Sequence, residues 1–137
     1  MTPLLLDTHA ALWISENEKL ADTAIAALDE AEDEGVPALI SPITAWEIGL
    51  LVARGRVALP TSPQTWFERL LEAPNTQLAE MPPKVLIASS FLPNAPVKDP
   101  ADRILIATAR EYGLTLITRD RALLSYAAAG HLKAIGC

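Results

Sequence analysis

Short apolar runs alternate with longer stretches of helical periodicity, and that alternation constrains the fold of this chain more than any other feature. Leu4-Leu5-Leu6 is an unbroken apolar run that ends at Asp7, as suits a strand buried on both faces of a parallel sheet. A helix is expected from about Thr8 to Ile14, and another from about Ala21 to Glu34, stopped by Gly35. Residues 37–41 (PALIS) read as a second strand. Thr44 then opens a helix that runs through Arg54 and closes at Gly55. Residues 60–63 form a loop, Pro63 to Glu72 a helix with proline in its first turn, and residues 76–80 a weak third strand. Pro83 to Phe91 reads as a short helix and Asn94-Ala95-Pro96 as a loop. The strongest helical pattern spans Pro100 to Tyr112 and is capped by Gly113. Residues 114–118 (LTLIT) are a clear strand, Asp120 to Ala129 a helix, and Lys133 to Ile135 a final edge strand. Strands separated by helices of this length imply right-handed βαβ units. The expected fold is a three-layer α/β/α domain, with a mostly parallel sheet of four to five strands flanked by helices.

At 137 residues the chain suits one domain, 1–137, because two separate cores would each be marginal. Half of the residues are hydrophobic, which excludes disorder. The single cysteine, Cys137, excludes a disulfide framework and an all-cysteine metal site. No apolar run is long enough to span a membrane. The start, Met1 to Asp7, lacks the basic region and long apolar stretch of a signal peptide, so a cytoplasmic protein is expected. The formal charge of −6 argues on its face against a nucleic-acid binder. That charge is unevenly placed. Residues 1–97 hold 5 basic and 13 acidic residues, whereas residues 98–137 hold 6 basic and 4 acidic. Much of the excess is the acidic block over residues 29–34, read as a solvated helix face.

In parallel α/β sheets, ligands bind beyond the carboxyl ends of the strands, near the topological switch point. Four acids occupy those junctions: Asp7 after the first strand, Glu47 after the second, Asp102 in the first turn of the long helix, and Asp120 after the fourth strand. Each also has a purely structural reading. Thr44 and Glu47 form a capping-box pattern, Asp99-Pro100-Ala101-Asp102 places an N-cap acid before proline, and Asp7 and Asp120 could cap their own helices. Their convergence on one rim favours a shared role. Carboxylates packed together repel unless a cation neutralises them, and oxygen ligands of this kind select Mg2+ or Mn2+ over Zn2+.

The residues at these junctions also resemble a known family. Leu4-Leu5-Leu6-Asp7-Thr8-His9-Ala10-Ala11-Leu12-Trp13 is similar to the opening of PIN domains of the VapC toxin group. Ser41-Pro42-Ile43-Thr44-Ala45-Trp46-Glu47-Ile48 resembles the second motif, residues 99–109 (DPADRILIATA) the third, and Leu116-Ile117-Thr118-Arg119-Asp120 the fourth. The resemblance implies a metal-dependent endoribonuclease, the toxin half of a VapBC-type toxin–antitoxin pair. It implies a catalytic and metal-binding set of Asp7, Glu47, Asp102 and Asp120, with Mg2+ or Mn2+ as cofactor. Asp99, Thr8 and Thr118 are supporting candidates, and Arg103 and Arg119 candidate phosphate contacts. A cognate VapB-like antitoxin, an RNA substrate and a homodimer are the partners it implies.

Competing readings find less support. A haloacid-dehalogenase-like phosphatase, another Mg-dependent phosphohydrolase of α/β class, needs a second Asp where His9 stands. A receiver-like domain needs an acidic pair where Leu5-Leu6 stands. A catalytically silent PIN-like binding module is disfavoured because all four acids are present. Glycine-rich phosphate loops are absent, and Ser89-Ser90 has neither a glycine elbow nor a paired histidine. His9 is expected to pack locally and His131 to face solvent in a turn. Trp13 and Trp46 are expected in the core or in a protein interface. The helix carrying Trp66 and Phe67, and the segment from Val85 to Phe91, are candidates for a dimer surface or an antitoxin groove.

Overall fold

The three leucines of β1 (Leu4–Leu6) point alternately to opposite faces, and this splits the core in two. In a strand, side chains alternate at period two. Leu4 and Leu6 join one apolar cluster, while Leu5, fully buried, joins the other. The computed structural model, which describes residues 3–94 and 97–137, repeats that division in the neighbouring strands. Ala38 and Ile40 of β2 (Ala38–Ile40) and Ile117 of β4 (Thr115–Thr118) belong with Leu4 and Leu6. Leu116 belongs with Leu5.

The five strands are all parallel, in the order β3-β2-β1-β4-β5, with β3 (Thr76–Leu78) and β5 (Lys133–Gly136) at the edges. Leu5 stands in register with Leu39 on one side and Leu116 on the other. One face is covered by α1 (Thr8–Ser15), α2 (Asp22–Asp33) and α4 (Pro63–Glu72). The other is covered by α5 (Pro83–Ala88), α6 (Pro100–Tyr112) and α7 (Arg121–Ala128). Between them, α3 (Pro42–Ala53) sends Ile48 into the first cluster and Ile43 into the second. This is the expected three-layer α/β/α arrangement. Among the described residues, no helix is long and apolar enough to cross a membrane.

Several local expectations change. The third helix begins at Pro42, two residues before Thr44. Ser41 is its N-cap, with Oγ accepting from the Ile43 amide at 3.1 Å. Proline at the first helical position has no amide to leave unbonded, so Ser-Pro wins the start and the Thr44–Glu47 capping box does not form. The helix expected to run to Phe91 ends at Ala88. Trp66 is buried and donates from Nε1 to Ser15 Oγ at 3.0 Å, so it is core and not surface. Trp46, expected in the core or in a protein interface, is 52% exposed, which removes the core alternative alone. His131 does not simply face solvent: its ring stacks on Tyr126 at 4.9 Å, and Nε2 lies 2.8 Å from Asn94 Nδ2. Ala95 and Pro96 of the expected loop lie outside the described residues.

Candidate active site

The chain leaves β1 toward β2 on one side and returns to pair β4 on the other, so the switch point lies between β1 and β4. Helices diverge there, and side chains at the strand ends share the opening. The opening is a cleft of about 400 Å³ lined by Asp7, His9, Trp13, Glu47, Asp99, Asp102, Arg119 and Asp120. All four junction acids meet in it, joined by Asp99. The convergence expected from topology is therefore present.

Each acid is held by the element that delivers it. Asp7 directly follows β1 and caps α1: Oδ1 accepts from the Ala10 amide at 2.7 Å, while Oδ2 accepts from the Thr118 hydroxyl at the end of β4. Asp120 caps α7, with Oδ1 accepting from the amides of Ala122 at 2.8 Å and Leu123 at 3.1 Å. Asp99 caps α6 through the Ala101 amide at 3.2 Å and also faces the cleft. It is thus both cap and site residue. Glu47 lies on the second turn of α3 and accepts from the Thr8 hydroxyl.

Proximity and burial push three carboxyls of the cleft upward, those of Asp102, Asp7 and Glu47. Asp102 is raised to about 7, first by burial and then by the charges of Asp99, Glu47 and Asp120. Burial also raises Asp7, although hydrogen bonds from Thr118 and Ala10 oppose it. Glu47 is raised by burial and by Asp99, against the opposing bond from Thr8. Three carboxyls raised together in one cleft are a site short of positive charge. Among the described residues, no three His, Cys, Asp or Glu side chains stand close enough together to hold a metal ion as they are placed, so the cleft carboxylates would have to draw in around a cation or reach it through water. The donor set is oxygen-rich and partly open, which fits a hard cation that keeps waters.

Buried threonines organise the carboxylates. Thr118 is fully buried; its hydroxyl donates to Asp7 and accepts from the Asp120 amide at 3.1 Å. Thr8 is 2% exposed and serves Glu47. Thr118 and Thr8 thus each donate to a carboxylate of the cleft. The capping-box pattern makes Thr44 a helix cap, but its Oγ1 lies 3.1 Å from that of Thr8. Its position three residues before Glu47, on the same helix face, was the signal that the capping-box reading misassigned.

The two candidate arginines part company. Arg103 donates from Nε to the Ser89 carbonyl and from Nη1 to the Val97 carbonyl, both at 2.8 Å, and is absent from the cleft lining. Its guanidinium ties the segment before α6 and does not stand as a phosphate contact. Arg119 lines the cleft, lies 3.8 Å over the Trp13 ring, and donates to the Cys137 carbonyl at 2.7 Å. Trp13 is thus a cleft wall that carries a cation, a role its apolar neighbours concealed. His9 also faces the cleft, with its ring 5.8 Å from that of Trp13.

Comparison with known proteins agrees with this geometry. The PIN-domain family model matches residues 4–129. The ribonuclease VapC22 of Mycobacterium tuberculosis is 35% identical over 127 residues, covering 92% of this chain and 93% of that protein. The VapBC2 structure from Rickettsia felis, bound to a promoter DNA fragment, covers 98% of both chains at a TM-score of 0.71 and 14% identity. A toxin–antitoxin complex from Klebsiella pneumoniae covers 96% of this chain and 95% of that one, at a TM-score of 0.58 and 19% identity. The two structural likenesses speak to the fold alone. By the span of the family model and the near full-length similarity to a VapC ribonuclease, this chain belongs to the PIN-domain family, on its VapC branch.

Proposed function

We propose that this chain is a metal-dependent endoribonuclease and the toxin of a VapBC-type pair, acting in the cytoplasm. The observation that carries the reading is the meeting of five carboxylates in one cleft, with Asp102 raised to about 7. Such a cluster is a poor structural device and a good cation site. Asp7, Asp102, Glu47 and Asp120 would hold Mg2+ or Mn2+, with Asp99 as a further oxygen donor. When bound, divalent cations supply Lewis acidity toward a phosphodiester and a nucleophile from water at neutral pH.

The chain's own groups do the rest. Thr118 and Thr8 fix the carboxylates they donate to, so the oxygens need little reorganisation when a cation arrives. Asp102 would be held in its ionised form once a cation is bound, since attraction to that charge would offset the repulsion from Asp99, Glu47 and Asp120. Arg119 is the one arginine or lysine lining the cleft among the described residues, and its stacked guanidinium can take the phosphate adjacent to the one that is cut. Charge then accounts for regulation too: a VapB-like antitoxin can silence the cleft by inserting an arginine or lysine among the carboxylates. A second copy of the chain completes a homodimer.

The test is cleavage of a panel of structured RNAs by the purified chain, freed of its partner, with Mg2+, with Mn2+ and with EDTA. Activity should need the cation and fall at least about a hundredfold in Asp7→Asn and in Asp102→Asn, with the fold retained by circular dichroism. Cleavage that persists in EDTA, or in both variants, would rule out the metal-site reading.

A further inference from the structure

We propose that Thr44 is a positioning residue for Glu47, acting through the hydroxyl of Thr8; the inference rests on reading Glu47 as a cation-binding carboxylate. A hydroxyl has one proton to donate. Thr8 spends its proton on Glu47, so across the 3.1 Å contact between Oγ atoms it is Thr44 that donates and Thr8 that accepts. The chain of donation therefore runs from Thr44 to Thr8 to Glu47, linking the first turn of α3, the start of α1 and a cleft carboxylate. Thr44 is fully buried and Thr8 nearly so, so water does not compete for either proton.

Among the described residues, the hydroxyl of Thr44 has no other hydrogen-bond partner. A helical threonine can return its proton to the carbonyl four residues earlier, and Thr108 does so, donating to Ile104 at 2.7 Å. Four residues before Thr44 stands Ile40, whose carbonyl accepts the Ala79 amide at 2.8 Å. Thr44 instead turns toward Thr8. With one of its two lone pairs occupied by Thr44, the Thr8 hydroxyl is polarised toward Glu47. The same design recurs on the other side of β1: the Asp120 amide holds the Thr118 hydroxyl, which holds Asp7. Two carboxylates are thus each fixed by a threonine that is itself fixed.

The experiment is Mn2+ titration of the RNA-free full chain by calorimetry, with melting curves as the check on folding. Outer-shell partners change metal affinity by about 10–100-fold, and Thr44 lies one bond further out. Thr44→Val should therefore weaken Mn2+ binding roughly threefold to tenfold, and Thr44→Ser should restore most of it. In a Glu47→Ala background, Thr44→Val should add nothing, because the relay has lost its terminus. If Thr44→Val does not fold, Thr44→Cys, with its weak donor, should give a smaller loss of the same kind. On RNA, the same variants should lower kcat and leave KM unchanged. Wild-type affinity in Thr44→Val, or an equal loss with and without Glu47, would overturn the relay. Wild-type protein that binds no Mn2+ would overturn the site reading instead, and Mn2+ binding without RNA cleavage would overturn the ribonuclease alone.

Discussion

At the N-terminus of α6, two effects compete on Asp102. The helix dipole favours a carboxylate in the first turn, by about 0.3–1 kcal/mol at exposed positions. Burial and the neighbouring charges of Asp99, Glu47 and Asp120 oppose it and win, since the carboxyl is pushed up to about 7. The folded state therefore holds this proton more tightly than the unfolded chain, whose aspartates titrate near pH 4. Linkage gives the sign: between about pH 4 and pH 7 the folded chain carries more protons, so stability falls as pH rises through that window. Asp7 and Glu47 are raised too and steepen the fall. In EDTA, melting temperature should decline from pH 4 to pH 8. Asp102→Asn should flatten that decline, matching wild type near pH 4 and melting higher above pH 7. A wild-type melting curve that rises with pH over this range would contradict the crowding of the cleft. Added Mg2+ should restore stability at pH 8, because it binds the ionised, folded form alone.

The element whose start decides most is α3. Its N-cap fixes the helix phase, and the phase decides that Thr44 faces Thr8 and that Glu47 faces the cleft. Ser41 is fully buried and caps the helix through the Ile43 amide. Ser41→Ala should lower stability by about 1 kcal/mol, read from urea unfolding. It should also reduce cation affinity, because fraying the first turn loosens Thr44 before it loosens Glu47. A loss of stability without any loss of affinity would mean that Pro42 alone sets the phase. The boundaries of α4 and α6 were legible in the sequence, since proline marks both starts and Gly113 adopts a left-handed φ of 64° at the end of α6. The start of α3 is hidden in the sequence because Thr44 and Glu47 satisfy a local capping pattern, and only contact with α1 shows where the threonine turns.

For the whole molecule, the distribution of charge and apolar surface matters more than either total. The net charge of −6 does not oppose the proposed RNA chemistry, because five of the acids converge in a cleft that cations would neutralise. Apolar surface is concentrated near the β3 edge and on α5 and the turn after it. Leu78, Leu86, Ile87 and Phe91 are 48%, 40%, 64% and 80% exposed. With Trp66 buried, this is the stronger of the two candidate contact regions, and exposed apolar residues of this size mark association surfaces. Ile87→Asp combined with Phe91→Asp should reduce self-association, giving a light-scattering mass that falls toward the 14.7 kDa of one chain. A dimer that survives both changes would move the interface elsewhere.

The sequence by itself determined the layered α/β fold, because Leu4-Leu5-Leu6 can satisfy three apolar side chains only when both faces of the strand are covered. It also determined the acids at the strand ends, since parallel topology delivers those ends to one rim. Tertiary structure alone decided which polar groups serve the acids. Arg103 and Arg119 each follow an acid or stand beside one in sequence, yet one is consumed by the carbonyls of Ser89 and Val97 while the other stacks on Trp13 at the cleft. Thr8 and Thr44 are 36 positions apart and touch through their hydroxyls. Hydrogen-bond partners are set by distances of about 3 Å, a scale fixed by packing between elements and absent from any local pattern.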